Sequence, residues 1–414
     1  MRKLSIIIVI IISFAIPQTA SAQTDPAVIA AFIRDGDLWV MEGDTERQIT
    51  KGKKIASPRW SFDGNWLAYL EGNQDKQNVW LYNIDSGKKK LIFKSDTSNL
   101  QWASNKDVLA FQAGEILYVK DARKSKKAAK RIATEVGNYS WLPNGNGFLT
   151  STISDLTPDG WTDIEFHKIL LKNNKVKKST FFELPALTIG NEDFGIGTSM
   201  FKWSPDNKWI SFIKYPTASL SADANLLYVL SSDAKQLIKL DEMLNEPSWF
   251  KWAPNRNSLA YIGGINRMSI MNKFLTVKEL PALSPGTLTP EGYVDRDFTW
   301  HNNHLITVAR SKESEWSNDP AERPLPALYQ IDLEGKKQKR ITNPKKGFGD
   351  FNPNYLSESD RLVWVRTDRE KSDVWIAARN GKNAKVWIKN IDLGDNYYEK
   401  WNWSNVLSVY DPEK

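Results

Sequence analysis

Two stretches of the sequence combine a tryptophan with several carboxylates, a mixture of side chains that can hold a ligand. A tryptophan among acids can stack on a sugar ring or anchor a basic peptide, because large aromatic side chains and arginine are favoured interface anchors. The plainer interpretation is that the rings cap structural elements and the acids solvate loops. Our hypothesis is that both stretches form a ligand face. They contain Asp155, Asp159, Trp161 and Asp163 in the first, and Glu313, Glu315, Trp316, Asp319, Glu322 and Arg323 in the second.

Signals for catalysis are poor. The chain has three histidines (His167, His301 and His304) and no cysteine, and it lacks the G-x-S-x-G turn of a serine nucleophile. His301-Asn-Asn-His304 stands where the other units have their turn triplet, so we predict a surface turn there. A catalytic zinc site is the less favoured alternative, because it would need a third protein ligand. Carboxylates brought together by the fold can hydrolyse glycosides, but the sequence indicates no pair. We predict no catalytic residue, no cofactor and no metal.

One repeated unit supplies the elements that must position these loops. Each unit has an aromatic residue, a turn triplet such as Phe62-Asp63-Gly64, and three further alternating or apolar runs. Asp-Gly and Asn-Gly between β-type runs indicate hairpins. Repeats of this length with four short strands each are typical of β-propeller blades. We expect the aromatic residues to lie in the wedges between blades; they are Trp60, Trp102, Trp141, Trp203, Trp252, Trp300, Tyr355 and Trp403.

The number of strands predicts the number of blades. Seven complete units run from Pro58 to about Asn390. The segments before them, residues 27–33, 37–41 and 47–50, are predicted to be strands b, c and d of a blade that lacks strand a. The segments after them, 398–404 and 406–410, are predicted to be strands a and b. The sequence therefore predicts an all-β propeller of eight four-stranded blades, closed by N- and C-terminal strands with one strand left over. Seven blades is the alternative.

The long connections are predicted to lie on one face of the propeller. In an antiparallel blade the b–c and d–a connections share one face, and the a–b turns lie on the other. The a–b turns are short, whereas long b–c connections occur at 154–163, 216–225 and 311–326, and long d–a links at 185–197, 281–292 and 343–350. Long loops held by a rigid scaffold are where binding usually occurs.

The N-terminus has the features of a secretory signal peptide. Arg2 and Lys3 precede an apolar run from Leu4 to Ile16, followed by Ala20-Ser21-Ala22. That run is shorter than the roughly 20 residues of a membrane span. We predict a signal peptide at 1–22 cleaved after Ala22, and a single propeller domain at 23–414. The product is expected to be a secreted monomer without a transmembrane segment.

The charge distribution argues against nucleic acid as a partner. The formal net charge is +7, and the basic runs fall at predicted turns and outer strands, such as Lys88 to Lys90 and Lys336 to Arg340. Lysine on an exposed strand protects a sheet edge from pairing. Basic residues are not interleaved with aromatic residues on one element, so no nucleic-acid binding is predicted.

The repeat resembles that of TolB-type β-propellers. Residues 36–50 (G-D-L-W-V-M-E-G-D-T-E-R-Q-I-T) and 58–93 carry the W-S-x-D-G, aromatic-strand and R-x-I-T elements of that family. The resemblance covers the mature chain at repeat level and implies the fold. TolB proper has an α/β domain before a six-bladed propeller and acts with an outer-membrane lipoprotein. Strand-like sequence begins close to Gln23 here, so that role is not implied. Secreted TolB-like proteins of Gram-positive bacteria are the closer resemblance.

These observations predict a non-catalytic binding or scaffold module at the cell envelope. Its expected partner is an envelope protein or a cell-wall glycan. One alternative is a propeller hydrolase or lyase with carboxylates at the channel mouth, and another is an extracytoplasmic sensor that acts with a membrane partner.

Overall fold

A computed structural model of the chain describes residues 28–73, 76–124, 126–173, 175–187, 193–283 and 286–412. The predicted signal peptide lies outside them. Eight antiparallel sheets form an eight-bladed β-propeller, as the repeat predicted. In the described part of the chain, no helix has the length and apolar character needed to cross a membrane.

The first half of the chain supplies three strands of blade 1 and all of blades 2 to 4. Blade 1 contains β1 (Ile29–Arg34), β2 (Asp37–Glu42) and β3 (Thr45–Gln48). Blade 2 contains β4 (Ile55–Trp60), β5 (Trp66–Asn73), β6 (Lys76–Asn83) and β7 (Lys89–Phe93). Blade 3 contains β8 (Ser98–Ala103), β9 (Lys106–Ala113), β10 (Ile116–Asp121) and β11 (Lys130–Ala133). Blade 4 contains β12 (Asn138–Trp141), β13 (Gly147–Ser151), β16 (Ile164–Lys172) and β17 (Lys175–Leu184), with a small hairpin of β14 (Leu156–Thr157) and β15 (Gly160–Trp161) in its b–c loop.

The second half supplies blades 5 to 8. Blade 5 has a divided inner strand, β18 (Gly197–Thr198) and β19 (Lys202–Trp203), followed by β20 (Trp209–Tyr215), α1 (Ala218–Ser221), β21 (Asn225–Ser231) and β22 (Leu237–Met243). Blades 6 to 8 contain β23 (Phe250–Trp252), β24 (Ser258–Gly263) and β25 (Phe274–Glu279); β26 (Tyr293–Trp300), β27 (Leu305–Lys312), β28 (Ala327–Asp332) and β29 (Lys337–Arg340); and β30 (Gly349–Leu356), β31 (Arg361–Thr367), β32 (Ser372–Ala378) and β33 (Lys385–Ile391). Short 3₁₀ helices occupy Pro247–Trp249, Pro320–Glu322 and Trp403–Asn405.

Blade 6 departs from the predicted four strands. Among the described residues it has three, and a single bridge between Thr276 and Thr287 stands beside β25 where the fourth would pair. The segment after β25 contains Pro281 and Pro290. Proline has no N–H to donate to a ladder, so this segment is a poor outer strand.

The chain termini share blade 1, as predicted, but the segment 406–410 provides its strand a in place of 398–404. Three strands come from the N-terminus, and the fourth is β36 (Leu407–Val409), which pairs with β1 at Ala30, Ala31 and Phe32. Because this strand completes the blade, no place remains for the segment 398–404. Part of that segment forms a separate hairpin, β34 (Asp395–Tyr397) with β35 (Lys400–Asn402), and the assignment of 398–404 to strand a was wrong.

The motif tryptophans join neighbouring blades. Trp102 Nε1 donates to Arg59 O at 2.9 Å, so the indole reaches the inner strand of the preceding blade. The same bond links Trp60 to Ser408 O, Trp141 to Gln101 O, Trp252 to Lys202 O and Trp300 to Lys251 O, at 2.9 to 3.1 Å. The predicted position between blades is confirmed for these five, and it explains why tryptophan recurs.

The burial of the eight motif aromatics is uneven. Trp141, Trp300, Tyr355 and Trp403 are buried, whereas the other four are half-buried. Tyr355 stacks on His301 with 4.2 Å between ring centroids, and Trp403 stacks on Trp401 at 5.2 Å. The segment 301–304 forms the predicted turn between β26 and β27, with Asn302 exposed, but His301 itself is buried and bonded to Thr307 Oγ1.

Candidate functional site

A cavity of about 920 Å³ lies on the axis of the propeller. Arg59 of blade 2, Lys202 of blade 5 and Asn354 of blade 8 all line it. Blades on opposite sides of a ring meet only at the central channel, so this cavity is the channel itself. Each of these three residues directly precedes a motif aromatic in the sequence.

Bulges in the inner strands redirect a second set of side chains, of which Asn352 lines the cavity. Ser57, Asn99, Asp297 and Asn352 have φ values of 53°, 54°, 42° and 49°, and each lies where the pairing register shifts. Every one of them stands three residues before a motif aromatic. A β-bulge locally re-aims side chains and is common beside functional sites.

The channel wall carries basic side chains held by backbone carbonyls. Arg59 Nη1 donates to Ser404 O at 2.7 Å, and Lys202 Nζ donates to Phe250 O at 2.8 Å and to Pro247 O. Burial lowers the pKa of Lys202 to about 7 and that of Arg59 to about 10, because desolvation disfavours the charged forms. Part of the Lys202 population is therefore neutral near pH 7.

The hairpin β34–β35 lies across one end of the channel, on the side of the long b–c and d–a connections. We call it the mouth hairpin (Asp395–Asn402). It belongs to the link between blades 8 and 1, so it starts on the face of the long loops. Lys400 Nζ lies 3.6 Å from Glu246 Oε2, and Tyr398 O accepts a hydrogen bond of 3.0 Å from Ser269 N. Both partners lie in connections of blade 6, so the hairpin spans the mouth.

Glu399, at the turn of the mouth hairpin, is buried among three arginines. Its Oε1 accepts from Arg369 Nε at 2.8 Å and from Arg323 Nη1 at 3.1 Å, and Arg296 Nη1 lies 3.9 Å from its Oε2. Arg296 is on the inner strand of blade 7, and Arg323 and Arg369 come from the b–c loops of blades 7 and 8. The mouth is therefore an arginine-rich pocket filled by the protein's own carboxylate.

Asp297 stands beside this pocket and is half-buried. Its carboxylate accepts from Trp249 Nε1 at 2.9 Å and from Asn352 N at 3.1 Å. Burial nevertheless raises the pKa of Asp297, because desolvation outweighs these bonds. The acid thus joins blades 6, 7 and 8 around the channel.

Comparisons with known proteins show the fold alone. No protein-family model and no curated protein matches the sequence. The chain is similar to the solved structure of dihydro-heme d1 dehydrogenase NirN in complex with DHE, at 14% identity and a TM-score of 0.60, over 93% of this chain and 78% of that one. It is similar to the S511A mutant of puromycin hydrolase complexed with PGG at 12% identity and a TM-score of 0.52, over 83% of this chain. It spans about half of that enzyme, 55% of its chain.

TolB proteins also occur among the structural neighbours. The putative TolB from Agrobacterium tumefaciens is 13% identical, with a TM-score of 0.42, over 82% of this chain and 99% of that one. The neighbours include enzymes, so the fold does not decide whether this chain is catalytic.

The first predicted loop has a local structural role. Trp161 is half-buried in the β14–β15 hairpin, with its ring 5.7 Å from that of Phe194. Asp163 Oδ1 accepts from Ala186 N at 3.1 Å, and Asp155 and Asp159 are exposed. These contacts agree with the plainer interpretation, and the proposed ligand contact at this loop stays a prediction.

The second predicted loop contributes two residues to the channel mouth. The Trp316 ring lies between the Arg323 guanidinium, at 4.4 Å, and the Tyr398 ring, at 5.0 Å. The acids are occupied or exposed: Glu313 accepts from Asn272 N, Asp319 from Ala321 N and Glu322 from Ser317 Oγ, whereas Glu315 is exposed. The two loops share a face but belong to blades 7 and 4, and each tryptophan has a different ring partner.

We did not predict Arg296, Arg369, Glu399 or Lys202 from the sequence. A signal for the channel lining was present, because the residue before the motif aromatic is basic in Arg59-Trp60, Lys202-Trp203 and Lys251-Trp252. The three arginines converge from separate loops, and no local pattern connects them.

Proposed function

We propose that this chain is an exported, non-catalytic propeller that binds an envelope protein or a cell-wall glycan at the mouth of its channel. The observation that carries the proposal is the cavity of about 920 Å³ at the axis, lined by polar and basic side chains and bordered by the mouth hairpin. Ligand cavities of roughly this volume, held by a rigid scaffold, are common in binding proteins. The predicted signal peptide supports the location.

The chemistry of the mouth favours an acidic ligand. Arg59, Lys202 and Lys400 line the cavity, against the carboxylates of Glu246 and Asp395. Trp316 and Arg323 stand at the same mouth and supply an aromatic ring and a guanidinium for recognition. Such residues are frequent anchors of binding surfaces.

Capture by the mature chain, residues 23–414, tests this proposal. We expect it to retain peptidoglycan or a defined envelope protein, and Trp316→Ala to weaken capture at least about tenfold, because that ring stands at the mouth. Trp66→Ala is the matched control, since this half-buried ring begins β5 next to an a–b turn, at the opposite end of the blade from the long loops. Normal capture by Trp316→Ala, or no capture by the native chain, contradicts the proposal.

Lys202 favours a second candidate function, that of a propeller hydrolase or lyase. Its pKa of about 7 and its place in the cavity wall suit a general base, which works best when its pKa is near the working pH. Turnover of a panel of glycosides, lactones and peptides tests this candidate. We expect Lys202→Met to abolish turnover, and the absence of turnover by the native chain excludes this candidate for that panel.

A further inference from the structure

We infer that Arg296, Arg323 and Arg369 form a binding site for the carboxylate of a sugar acid, and that Glu399 occupies this site in the free protein. The inference rests on the proposed function and gives its ligand a chemical class. Three planar guanidinium groups meet one carboxylate, at 2.8, 3.1 and 3.9 Å. Guanidinium groups match carboxylates in shape and charge better than ammonium groups do.

Glu399 and the arginines pair incompletely, so buried donors and one buried acceptor remain unmatched in the pocket. Arg296 and the Glu399 side chain are almost completely buried. Arg296 Nε and Arg323 Nε find no acceptor among the described residues, and Glu399 Oε2 finds no donor there. Buried polar groups are normally paired. A sugar acid carries hydroxyl oxygens beside its carboxylate, and these can accept from the donors that Glu399 leaves without a partner.

The turn of the mouth hairpin imitates such a ligand. Tyr398 places its ring beside Trp316, with 5.0 Å between centroids and 57° between the ring planes, and the next residue places a carboxylate among the arginines. A sugar ring that stacks on Trp316 can present its own carboxylate in the same way. Aromatic side chains offer flat apolar faces to ligand rings, with polar groups at their edges.

The mouth hairpin is built so that it can leave the site without opening a blade. Its two strands pair with each other and with no other strand among the described residues. Its turn residues Tyr398 and Glu399 have φ values of 52° and 67°, an unfavourable region for residues other than glycine. Release of the turn therefore relieves backbone strain and opens the arginine pocket to the channel mouth.

Two sugars that differ by a carboxylate test the inference. N-acetylmuramic acid and N-acetylglucosamine share a ring, but only the first carries a lactyl carboxylate. We expect calorimetric titration of the mature chain to detect the first sugar and not the second. Glu399→Gln is expected to bind N-acetylmuramic acid at least about tenfold more tightly, because the competing carboxylate is gone.

Three further variants of the pocket distinguish loss of a binding contact from loss of folding. Arg369→Met is expected to abolish binding of the sugar acid. Arg369→Lys keeps the positive charge but lacks the planar, forked guanidinium, and it is expected to bind weakly. Trp316→Ala leaves all three arginines in place. We expect it to weaken the binding of N-acetylmuramic acid both in the native background and in the Glu399→Gln background. Equal affinity of Glu399→Gln for the two sugars, or binding unaffected by Arg369→Lys and Trp316→Ala, overturns the inference.

The outcomes separate this inference from the proposed function. Capture of peptidoglycan or an envelope protein with no preference between the two sugars keeps the proposed function and overturns the inference. Tight binding of N-acetylmuramic acid by Glu399→Gln, together with no capture of any envelope component, supports the inference and overturns the proposed function. Capture of an envelope protein that requires Arg369 but is not displaced by N-acetylmuramic acid overturns the sugar-acid assignment.

Discussion

The side chain of Lys273 is fully buried, and its ammonium group holds the b–c loop of blade 6 together. Lys273 Nζ donates to four backbone carbonyls, those of Ile265 and Asn266 at 2.8 Å, Met271 at 3.1 Å and Asn272 at 3.2 Å. This loop also supplies Ser269, which bonds to the mouth hairpin. A single buried cation thus helps to place one wall of the channel mouth.

Replacing Lys273 tests this role. We expect Lys273→Met to lower the free energy of unfolding by about 2 to 4 kcal/mol, because the loop carbonyls lose their donor. Lys235→Met is the control, since the Lys235 side chain is 80% exposed, and it is expected to change stability by less than about 0.5 kcal/mol. Urea unfolding of both variants measures the difference, and equal midpoints contradict the role.

Lys202 predicts a dependence of stability on pH. Its pKa is lowered by burial to about 7 in the folded chain, from 10.5 in its unperturbed state. Between these values the unfolded chain binds the proton and the folded chain does not, so the free energy of unfolding rises with pH. We expect the urea midpoint of the native chain to rise more between pH 7 and about pH 9.5 than that of Lys202→Met. Parallel pH profiles contradict this.

At the scale of the strand, the hydrogen bonds from the motif tryptophans to the preceding blade account for much of what the sequence predicted. The turn triplets and the recurring aromatic predicted the hairpins and the contacts between blades, because both depend on local chemistry repeated in each unit. The bulges at Ser57, Asn99, Asp297 and Asn352 were not predicted. Three of the four are Asn or Asp, which adopt positive φ more readily than other non-glycine residues, but both types are equally common in turns, so residue type alone did not locate the bulges.

Removing the indole N–H of one motif tryptophan tests how much these hydrogen bonds between blades contribute to stability. Trp102→Phe keeps an aromatic ring but leaves Arg59 O without its donor, and we expect a loss of about 1 kcal/mol in the free energy of unfolding. Trp39 is the matched control, because its Nε1 has no hydrogen-bond partner among the described residues. Trp39→Phe is expected to be neutral or slightly stabilising. Equal losses in the two variants indicate that ring size, and not the hydrogen bond, matters.

At the scale of the whole molecule, ring closure was predictable and the occupation of the channel was not. A blade with three N-terminal strands needs a partner, and the last strand-like segment of the chain was available to supply it. The mouth hairpin looked like one more strand, since its sequence alternates like the others. Its position depends on Glu399 meeting arginines 30 to 103 residues away, which is a contact that no local pattern records.

The single strand β36 closes the ring, so its removal is expected to affect the whole protein. Truncation after Asn405 removes the partner of β1 and exposes the buried inner face of blade 1, including Phe32. It also removes Ser408 O, the acceptor of the Trp60 indole. We expect the free energy of unfolding to fall by more than about 4 kcal/mol, as for other losses of core contacts. Proteolytic cleavage within residues 29–50 should appear at the same time, because β1 to β3 lose their anchor. Truncation after Tyr410 is the control: it keeps β36 and the contact of Tyr410 with Trp60, and its stability should match that of the native chain. Equal stability of the two truncations would show that the ring is held closed by contacts between blades without β36.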